Sequence, residues 1–364
     1  MHARRRSARL LTTLTAAAFV LTVTAGGASA HPGRDDRHAP HGVTVSADGR
    51  GDFTTVQAAI DAAPEGATRP WVIAVRPGEY HELVHVPATK PFLSLVGTGR
   101  RAQDVVISYD NANGTAKPDG SGTYGTSGSA SVTLDGADFT ARNLAFANTF
   151  DEAAHPEITN RQAVAVLTRA DRLVFDDVRF LGNQDTLYVN STAADVVARA
   201  YFRDCYVEGD VDFVFGRATA VFDDCEIHSL DRGSATNNGY VTAPSTSIAN
   251  PYGFLFTHSR FTTDAPAGTV SLGRPWHPSN DPNAIGQVLV RDSWIDDHIG
   301  ATPWSDFSGG WSWRDARFAE LHNRGPGALV TDDRPQLTHA EAADLTARSY
   351  LRGTDGWSPE PGCR

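Results

Sequence analysis

The stretch FDDVRF, from Phe175 to Phe180, decides the fold because the chain repeats its pattern. Each copy places apolar residues at alternating-type spacing around a central Asp, Asn or His. The copies are ARNLAF (141–146), FDDVRF (175–180), FRDCYV (202–207), FDDCEI (222–227), FTHSRF (256–261) and VRDSWI (290–295). Their starts lie 34, 27, 20, 34 and 34 residues apart. Self-similarity at this period indicates a stacked, quasi-one-dimensional architecture.

The composition of these copies indicates strands. They are short, rich in Val and Phe, and bounded by Gly, Asn and Asp turns, which are strand signals. No long amphipathic helix lies between them, and this disfavours a barrel of alternating strands and helices. We therefore predict an all-β fold, a parallel β-helix, that forms one domain over residues 43–364.

The open ends of such a coil need covering, because exposed strand edges promote aggregation. Phe53–Ala63 has helical apolar spacing, with Thr54 or Thr55 as the candidate N-cap. We predict that this helix covers the N-terminal end. Thr338–Tyr350 is predicted as a second helix, at the other end.

Residues 1–30 have the features of a secretory signal peptide. Met1–Arg9 contains four Arg, an apolar run follows from Leu10 to about Ala25, and Ala28–Ala30 supplies the small residues of a cleavage site. The alternative is a membrane anchor, but Thr interrupts the run, which is shorter than the ~20 residues that a span needs. We predict a secreted, extracellular protein with no membrane span, and a flexible polar leader over residues 31–42.

The charge balance argues against nucleic acid as the main partner. The 364 residues include 32 Lys and Arg against 43 Asp and Glu, a net charge of −11. Removal of residues 1–30 takes away four Arg and no acid, so 28 basic residues face 43 acidic ones and the net charge becomes −15. Nucleic-acid binding needs a basic surface, which this composition does not predict.

Cys205 and Cys225 occupy the same position in neighbouring copies, 20 residues apart. In a coil stack they become spatial neighbours, so we predict a disulfide between them in an exported protein. The alternative is two buried free thiols. No Cys or His spacing resembles a zinc site.

Two segments combine polar and acidic side chains. GNQDTLY (182–188) places the amide of Gln184 beside Asp185, and VDFVFG (211–216) surrounds Asp212 with apolar residues. The two Asp residues are 27 positions apart, about one coil, so we expect them to face each other on adjacent turns. Paired carboxylates in unlike surroundings can differ in pKa and take different roles. The alternative is that both Asp side chains only satisfy turns.

Asp212 in its apolar setting requires a cation, because an unpaired buried charge is costly. LGRPW (272–276) offers Arg274, which can form a bidentate, charge-assisted pair with a carboxylate. The adjacent Trp276 suits the apolar face of a sugar ring. These side chains are the candidate active site.

The segments resemble the pectin methylesterase family, the carbohydrate esterases that remove methyl groups from homogalacturonan. The resemblance covers about residues 43–360. It rests on separate motifs in the right order: GEYHE (78–82), RQAVAV (161–166), GNQDTLY (182–188), DFVFG (212–216), LGRPW (272–276) and NRGPGA (323–328). It implies a right-handed parallel β-helix with short terminal capping helices, in agreement with the repeats.

The resemblance also implies a role for each site residue. Asp212 is the nucleophile that attacks the ester carbonyl carbon, and Asp185 is the general acid and then the general base. Gln162 and Gln184 donate amide N–H groups to the developing oxyanion, and Arg274 keeps Asp212 ionised. The alternative for the two Gln residues is an amide ladder between coils.

The implied partner is methyl-esterified homogalacturonan, the pectin of plant cell walls. The implied substrate contacts, besides Arg274 and Gln162, are Thr126, Val211, Phe215 and Trp276. The chemistry needs no metal or cofactor, and we expect a monomer.

Three rival functions stay open at this point. A pectate lyase or polygalacturonase has the same scaffold, but a lyase needs a calcium cluster and a strong cationic base, and a polygalacturonase needs several Asp plus a His. An esterase or thioesterase on non-pectic substrates is the second rival. A non-catalytic carbohydrate-binding β-helix is the third.

Overall fold

The computed structural model describes residues 41–359, whose strands pair in parallel. The first strands are β1 (His41–Val45), β2 (Trp71–Val75), β3 (Gly78–His81), β4 (Val84–Val86), β5 (Leu93–Gly97), β6 (Val105–Tyr109), β7 (Val132–Leu134), β8 (Thr140–Asn148), β9 (Val166–Thr168), β10 (Leu173–Leu181), β11 (Leu187–Val189) and β12 (Arg199–Arg203). The remaining strands are β13 (Tyr206–Gly209), β14 (Val211–Gly216), β15 (Thr219–Asp223), β16 (Glu226–Ser229), β17 (Gly239–Pro244), β18 (Phe254–Thr257), β19 (Arg260–Thr263), β20 (Val270–Gly273), β21 (Gln287–Arg291), β22 (Trp294–Ile295) and β23 (Arg317–Leu321).

Successive coils contribute strands to two sheets. The central path of the larger sheet is β1-β2-β5-β8-β10-β12-β15-β18-β21-β23, and the smaller sheet runs β4-β7-β9-β11-β14-β17-β20. Neighbours in each sheet are not neighbours in sequence, because the chain passes through the rest of a coil before it returns. This arrangement is the predicted parallel β-helix.

The repeated sequence is a corner of the coil. Its central residue has a positive φ in all six copies: Asn143 (53°), Asp177 (53°), Asp204 (52°), Asp224 (53°), His258 (53°) and Asp292 (50°). After glycine, Asn, Asp and His are the residues that most readily adopt this left-handed conformation. His322, at 52°, marks a seventh copy that the sequence comparison missed.

The first position of the repeat fills the interior with stacked rings. Phe175 and Phe202 have centroids 4.7 Å apart, Phe202 and Phe222 are 4.5 Å apart, and Phe222 and Phe256 are 4.6 Å apart. These distances approach the strand separation of about 4.8 Å. Each of these four coils therefore stacks its ring directly on that of its neighbour, whereas Ala141 and Val290 take the same position in the coils on either side.

The predicted disulfide is not formed in the structure. Cys205 and Cys225 are buried neighbours on adjacent coils, but both are free thiols. In-register parallel strands lie about 4.8 Å apart, which is within the Cα separation that a disulfide allows, so the two residues are close neighbours although no bond joins them. Each thiol instead lies near backbone carbonyl oxygens, those of Arg203 and Asp223 at 3.3 and 3.4 Å.

The predicted N-terminal helix is present as α1 (Val56–Ala62), with Thr55 as its N-cap. The carboxylate of Glu82, from the GEYHE motif, accepts hydrogen bonds from the first two helical N–H groups at 2.7 and 2.9 Å. The Lys90 ammonium donates to two carbonyls at the helix C-terminus. The helix packs against β1, β2 and β4, so it covers the first coil as predicted.

The predicted extent of the second helix, 338–350, is wrong. Besides α2 (Gly125–Gly128), the remaining helix is α3 (Ala347–Leu351), which begins only after Thr346. Thr346 is extended and its side chain accepts from the Ser349 N–H, so it caps a new helix. α3 lies against β12, β15 and β18 on the outer face of the larger sheet.

The last coil is closed by a buried ion pair. The Arg334 guanidinium donates to the Glu320 carboxylate at 2.9 and 2.7 Å, and both side chains are almost fully buried. Glu320 belongs to β23, the final strand of the larger sheet. Arg334 therefore fixes the chain that follows the last strand.

The predicted signal peptide and the leader up to residue 40 lie outside the described residues. Strand β1 begins at His41, two residues before the predicted start of the domain. Within residues 41–359, the helices are all too short to cross a membrane.

Candidate active site

A cavity of about 200 Å³ opens on the smaller sheet, near the middle of the coil stack. It contains eight of the nine side chains that the sequence predicts for the site. The lining residues are Thr126, Gln162, Gln184, Asp185, Asp212, Phe215, Ala243, Arg274, Trp276 and Phe307.

The ninth predicted residue, Val211, does not line this cavity. Its side chain is buried, and its carbonyl oxygen accepts the backbone N–H of Asp185 at 3.0 Å. Val211 therefore connects the two coils that carry Asp185 and Asp212, and the structure gives its side chain no place in the cavity wall.

The two Asp residues stand on adjacent coils in left-handed backbone conformations. They are separated by 27 residues, the same offset that pairs Leu187 with Val214. Asp185 has a φ of 67° and Asp212 a φ of 52°. The register of β14 shifts at Asp212, a bulge that turns its side chain out of the regular alternation.

Asp212 has the cation that its sequence context requires. Arg274 Nε lies 2.9 Å from Asp212 Oδ1, and Arg274 Nη2 lies 2.7 Å from Asp212 Oδ2. Arg274 follows β20, and its N–H donates to the Thr242 carbonyl at 3.0 Å. The pair is bidentate and largely buried, which is the strong form of such an interaction.

Asp185 has no such partner. Its carboxyl group is buried and makes no side-chain hydrogen bond within residues 41–359. Burial raises the pKa of Asp185 well above its usual range, and the charge of Asp212 raises it further. Burial also raises the pKa of Asp212, but the hydrogen bonds and charge of Arg274 act against that rise. The two environments therefore favour a protonated Asp185 beside an ionised Asp212.

The amides of Gln162 and Gln184 do not form a ladder between coils. Neither side chain hydrogen-bonds to another described residue, and the buried Oε1 of Gln162 is without a partner among them. Gln184 is held by its backbone, whose carbonyl accepts the Ala163 N–H at 3.0 Å. Both amide groups thus line the cavity, and their N–H groups are available to donate hydrogen bonds to a substrate.

One wall of the cavity is aromatic. Phe215 and Trp276 line it, with the Trp276 ring edge-on to Phe215 at 5.6 Å. Tyr188 lies behind them and stacks on Phe215 with centroids 4.1 Å apart. Thr126 lies in α2, and its hydroxyl accepts a hydrogen bond from the Asn113 amide at 2.9 Å. The wall offers an apolar surface beside a polar one, a combination that suits a sugar ring.

Sequence analysis missed Ala243 and Phe307. Ala243 is an ordinary strand residue of β17, and nothing in its sequence distinguishes it. Phe307 belongs to the segment WSDFSGGWSW (304–313), whose density of aromatic residues is the signal that could have found it.

Comparison with known proteins shows the family of the chain. The family described as Pectinesterase matches residues 42–354. Pectinesterase A of Dickeya dadantii (strain 3937) is 39% identical over 344 residues, covering 86% of this chain and 90% of that protein. A crystal structure of pectin methylesterase in complex with hexasaccharide VII has a TM-score of 0.79 at 36% identity, and it covers 88% of this chain and 99% of that one. The pectin methylesterase from Yersinia enterocolitica has a TM-score of 0.76 at 33% identity, with coverage of 84% and 100%.

The resemblance drawn from the sequence motifs is thereby confirmed. The family match extends over nearly all of the described residues, and the similar structures share the same stacked parallel sheets. The chain belongs to the pectinesterase family.

Proposed function

We propose that this chain hydrolyses the methyl esters of homogalacturonan, yielding pectate and methanol, with Asp212 as the nucleophile. One observation carries the assignment of roles. A carboxylate held by two hydrogen bonds to Arg274 lies in the same cavity as a buried carboxyl group that has no partner among the described residues. A pair in such unlike environments fits one ionised and one protonated carboxyl group.

The first half of the reaction forms an acyl-enzyme. An Asp212 carboxylate oxygen attacks the ester carbonyl carbon, and the C–O bond to the methoxy group breaks. Asp185 gives its proton to the departing methoxy oxygen, so methanol leaves as a neutral molecule. The negative charge on the carbonyl oxygen in the transition state accepts hydrogen bonds from the amides of Gln162 and Gln184.

The second half restores the enzyme. Asp185, now a carboxylate, takes a proton from water as the water oxygen attacks the acyl carbon. The bond from that carbon to the Asp212 oxygen breaks, and Asp212 returns to its ionised form beside Arg274. The product carboxylic acid loses its proton to solvent.

The proposed partner is a methyl-esterified stretch of homogalacturonan. The aromatic wall formed by Phe215 and Trp276 suits the apolar faces of sugar rings and methyl ester groups. The net charge of −15 for residues 31–364 opposes binding of the polyanionic product more than binding of nearly neutral, methylated chains.

We also propose that the protein acts outside the cell as a monomer. The proposal of secretion rests on the N-terminal arginines, the apolar run and the small residues at Ala28–Ala30. Size-exclusion chromatography with light scattering tests the monomer. Export of a reporter fused to residues 1–30 tests secretion.

The activity is tested by methanol release from highly methylated pectin, with chain length measured in the same samples. We expect methanol without chain shortening. Chain shortening would favour a lyase or polygalacturonase, and binding without methanol release would favour a carbohydrate-binding module. Methanol release from a non-pectic methyl ester but not from pectin would favour an esterase on other substrates.

The nucleophile is tested by Asp212→Asn, which keeps the size of the side chain and removes its charge. We expect a loss of about three orders of magnitude or more in kcat, by analogy with other catalytic nucleophiles. Asp204→Asn is the matched control, because Asp204 has the same φ of 52° but occupies a coil corner outside the cavity. Full methanol release by Asp212→Asn would disprove the assignment.

A further inference from the structure

Two aromatic rings lie against the guanidinium of Arg274. Its Cζ atom is 3.9 Å from the ring centroid of Tyr240 and 4.7 Å from that of Phe307. The guanidinium edge is occupied by the two hydrogen bonds to Asp212. We propose that Phe307 is a positioning residue that holds Arg274 in its bidentate geometry, and that the hairpin formed by residues 306–313 fixes Phe307 in place. This inference rests on the proposed roles of Arg274 and Asp212.

The two rings differ in origin. Tyr240 belongs to β17, and the ladder pairs it with Ser271 of β20, the strand that precedes Arg274. It is therefore part of the rigid sheet. Phe307 comes from a loop, so its position depends on how that loop is held. A cation over aromatic faces is stabilised, and the effect grows as water is excluded.

The loop that carries Phe307 is a short hairpin. The N–H of Phe307 donates to the carbonyl of Trp311 at 2.8 Å. Gly309 and Gly310 have φ values of 89° and 87°, which allow the tight reversal at the tip. Asp306 braces the base, since its Oδ1 accepts from Ser312 Oγ at 3.1 Å and from the Trp313 N–H at 3.0 Å.

The hairpin is attached to the segment that carries Arg274. The Trp311 ring stacks on His277 with centroids 3.7 Å apart and planes 9° apart. His277 follows Trp276 directly, and its Nδ1 lies 2.9 Å from the Asp281 carbonyl oxygen. Trp311 itself does not line the cavity. A change at Trp311 thus alters the hold on Phe307 without removing a side chain that faces substrate.

The consequence concerns Asp212. If Arg274 loses the cover of Phe307, water and alternative rotamers compete with its two hydrogen bonds to the carboxylate. Asp212 then loses part of the interaction that opposes the effect of burial on its pKa. Besides Arg274, the titratable groups around Asp212 are Asp185 and Tyr240, with Asp210 earlier in the same segment and His277 behind Arg274. None of these four is altered by a change at Phe307.

The experiment compares Phe307→Leu, Phe307→Tyr and Trp311→Leu by methanol release from methylated pectin across pH. We expect Phe307→Leu to lower kcat about five- to tenfold and to move the acid limb of the kcat/KM profile to higher pH. Phe307→Tyr keeps an aromatic face, so we expect its kcat and its acid limb to stay at the wild-type values. Trp311→Leu shifts both in the same direction as Phe307→Leu. Trp294→Leu is the control, because Trp294 is 43% exposed and lies outside the cavity.

Two results would overturn the inference. One is a rise in KM alone with an unmoved acid limb in Phe307→Leu, which indicates a substrate contact instead. The other is an unchanged acid limb and kcat in Trp311→Leu, which indicates that the hairpin does not hold Phe307. If the wild-type chain releases no methanol, the proposed function fails and this inference fails with it, whereas an active wild type with unmoved variants rejects the inference alone.

Discussion

Asp185 and Asp212 occupy matching places on adjacent coils, yet only Asp212 has a cation partner. Identical side chains thereby differ in how readily they ionise, Asp185 being the harder to ionise. Burial raises the pKa of both, and Arg274 opposes the rise at Asp212 through two hydrogen bonds. The proposed reaction needs this asymmetry, because it uses one carboxyl group as an anion and the other as an acid. The predictions below test where it comes from.

The first prediction concerns Asp210, a third buried carboxyl group next to the site. Its Oδ1 accepts the Val211 N–H at 2.5 Å, and Arg232 Nε lies 3.3 Å from its Oδ2. Burial raises the pKa of Asp210 to about 6, against the opposing charge of Arg232. Above that pH its negative charge disfavours ionisation of Asp185 and so raises the pKa of Asp185.

Asp210→Asn removes this charge, so we expect the pKa of Asp185 to fall. Since Asp185 must be protonated at the start of the reaction, the alkaline limb of the kcat/KM profile should move to lower pH. Asp210→Glu should leave the limb near its wild-type position. Asp231→Asn is the matched control, because Asp231 lines a second cavity together with Asp210 and Arg232, outside the candidate site, but is exposed. A limb that moves to higher pH would contradict the role given to Asp210.

The second prediction concerns the shape of the cation at position 274. Arg274→Lys keeps a positive charge but cannot make two parallel hydrogen bonds, whereas Arg274→Gln leaves Asp212 without a cation. We expect kcat to fall in the order wild type, Lys, Gln, with a loss of about a hundredfold or more for Gln. The acid limb of the kcat/KM profile should move to higher pH in the same order, because the pKa of Asp212 increases as the interaction with its partner weakens.

Methanol release across pH measures these effects. Arg260→Gln provides the control, since Arg260 is exposed on another face of the coil. Equal activity of the Lys variant and the wild type would show that charge alone suffices.

The third prediction concerns the stability of the last coil. Arg334→Met leaves the Glu320 carboxylate buried without its partner, and such a loss costs about 3–5 kcal/mol in the free energy of unfolding. The double variant Arg334→Met with Glu320→Leu should recover much of that loss, because no buried charge then remains. Urea unfolding followed by circular dichroism measures both.

Arg314→Met serves as the comparison for this pair. Arg314 contacts Asp333 at 2.6 Å, but its side chain is 62% exposed. We expect its removal to change the free energy of unfolding very little, as is usual for surface pairs. Similar losses from both variants would show that burial does not decide the value of the Arg334 pair.

The fourth prediction concerns the corner of the coil. Asp204 has a φ of 52°, where a β-branched side chain is strained. Asp204→Val should therefore lower the free energy of unfolding by about 1–2 kcal/mol. Asp204→Asn and Asp204→Gly should stay close to the wild type, because both residues accept this conformation. Thermal unfolding of the three variants measures the difference, and an unaffected Val variant would contradict the argument.

The fold could be predicted because its strongest constraints recur. The corner demands Asp, Asn or His once per coil, and the interior accepts Phe at one fixed position. Both appear in the sequence as a repeat with a visible period. The helix predicted over 338–350 failed because apolar spacing alone does not reveal that Thr346 starts a new helix.

The candidate site could be predicted as far as its motifs extend. Asp212 lies in β14, Arg274 directly follows β20, and Asp185 lies two residues before β11, so regular stacking brings them together. Phe307 could not be predicted, because its position depends on a hairpin outside the sheets. The repeat placed Cys205 beside Cys225 correctly, but neighbouring positions do not decide whether the two thiols are oxidised, and both are free in the structure. The roles of the individual residues stay predictions.

The uniform stacking of rings along the interior has a consequence for how such a protein can change length. Each coil repeats the same internal cross-section, so adding a copy of the 20-residue unit that begins at Phe202 would lengthen the core without altering its pattern. The candidate active site, in contrast, does not tolerate an added coil at every position. Arg274 reaches Asp212 across a fixed number of strands, from β20 through β17 to β14. One extra coil between them would separate the pair by a further strand spacing, about 4.8 Å. Growth of the coil is therefore compatible with activity only at the two ends, above or below the strands that carry the site.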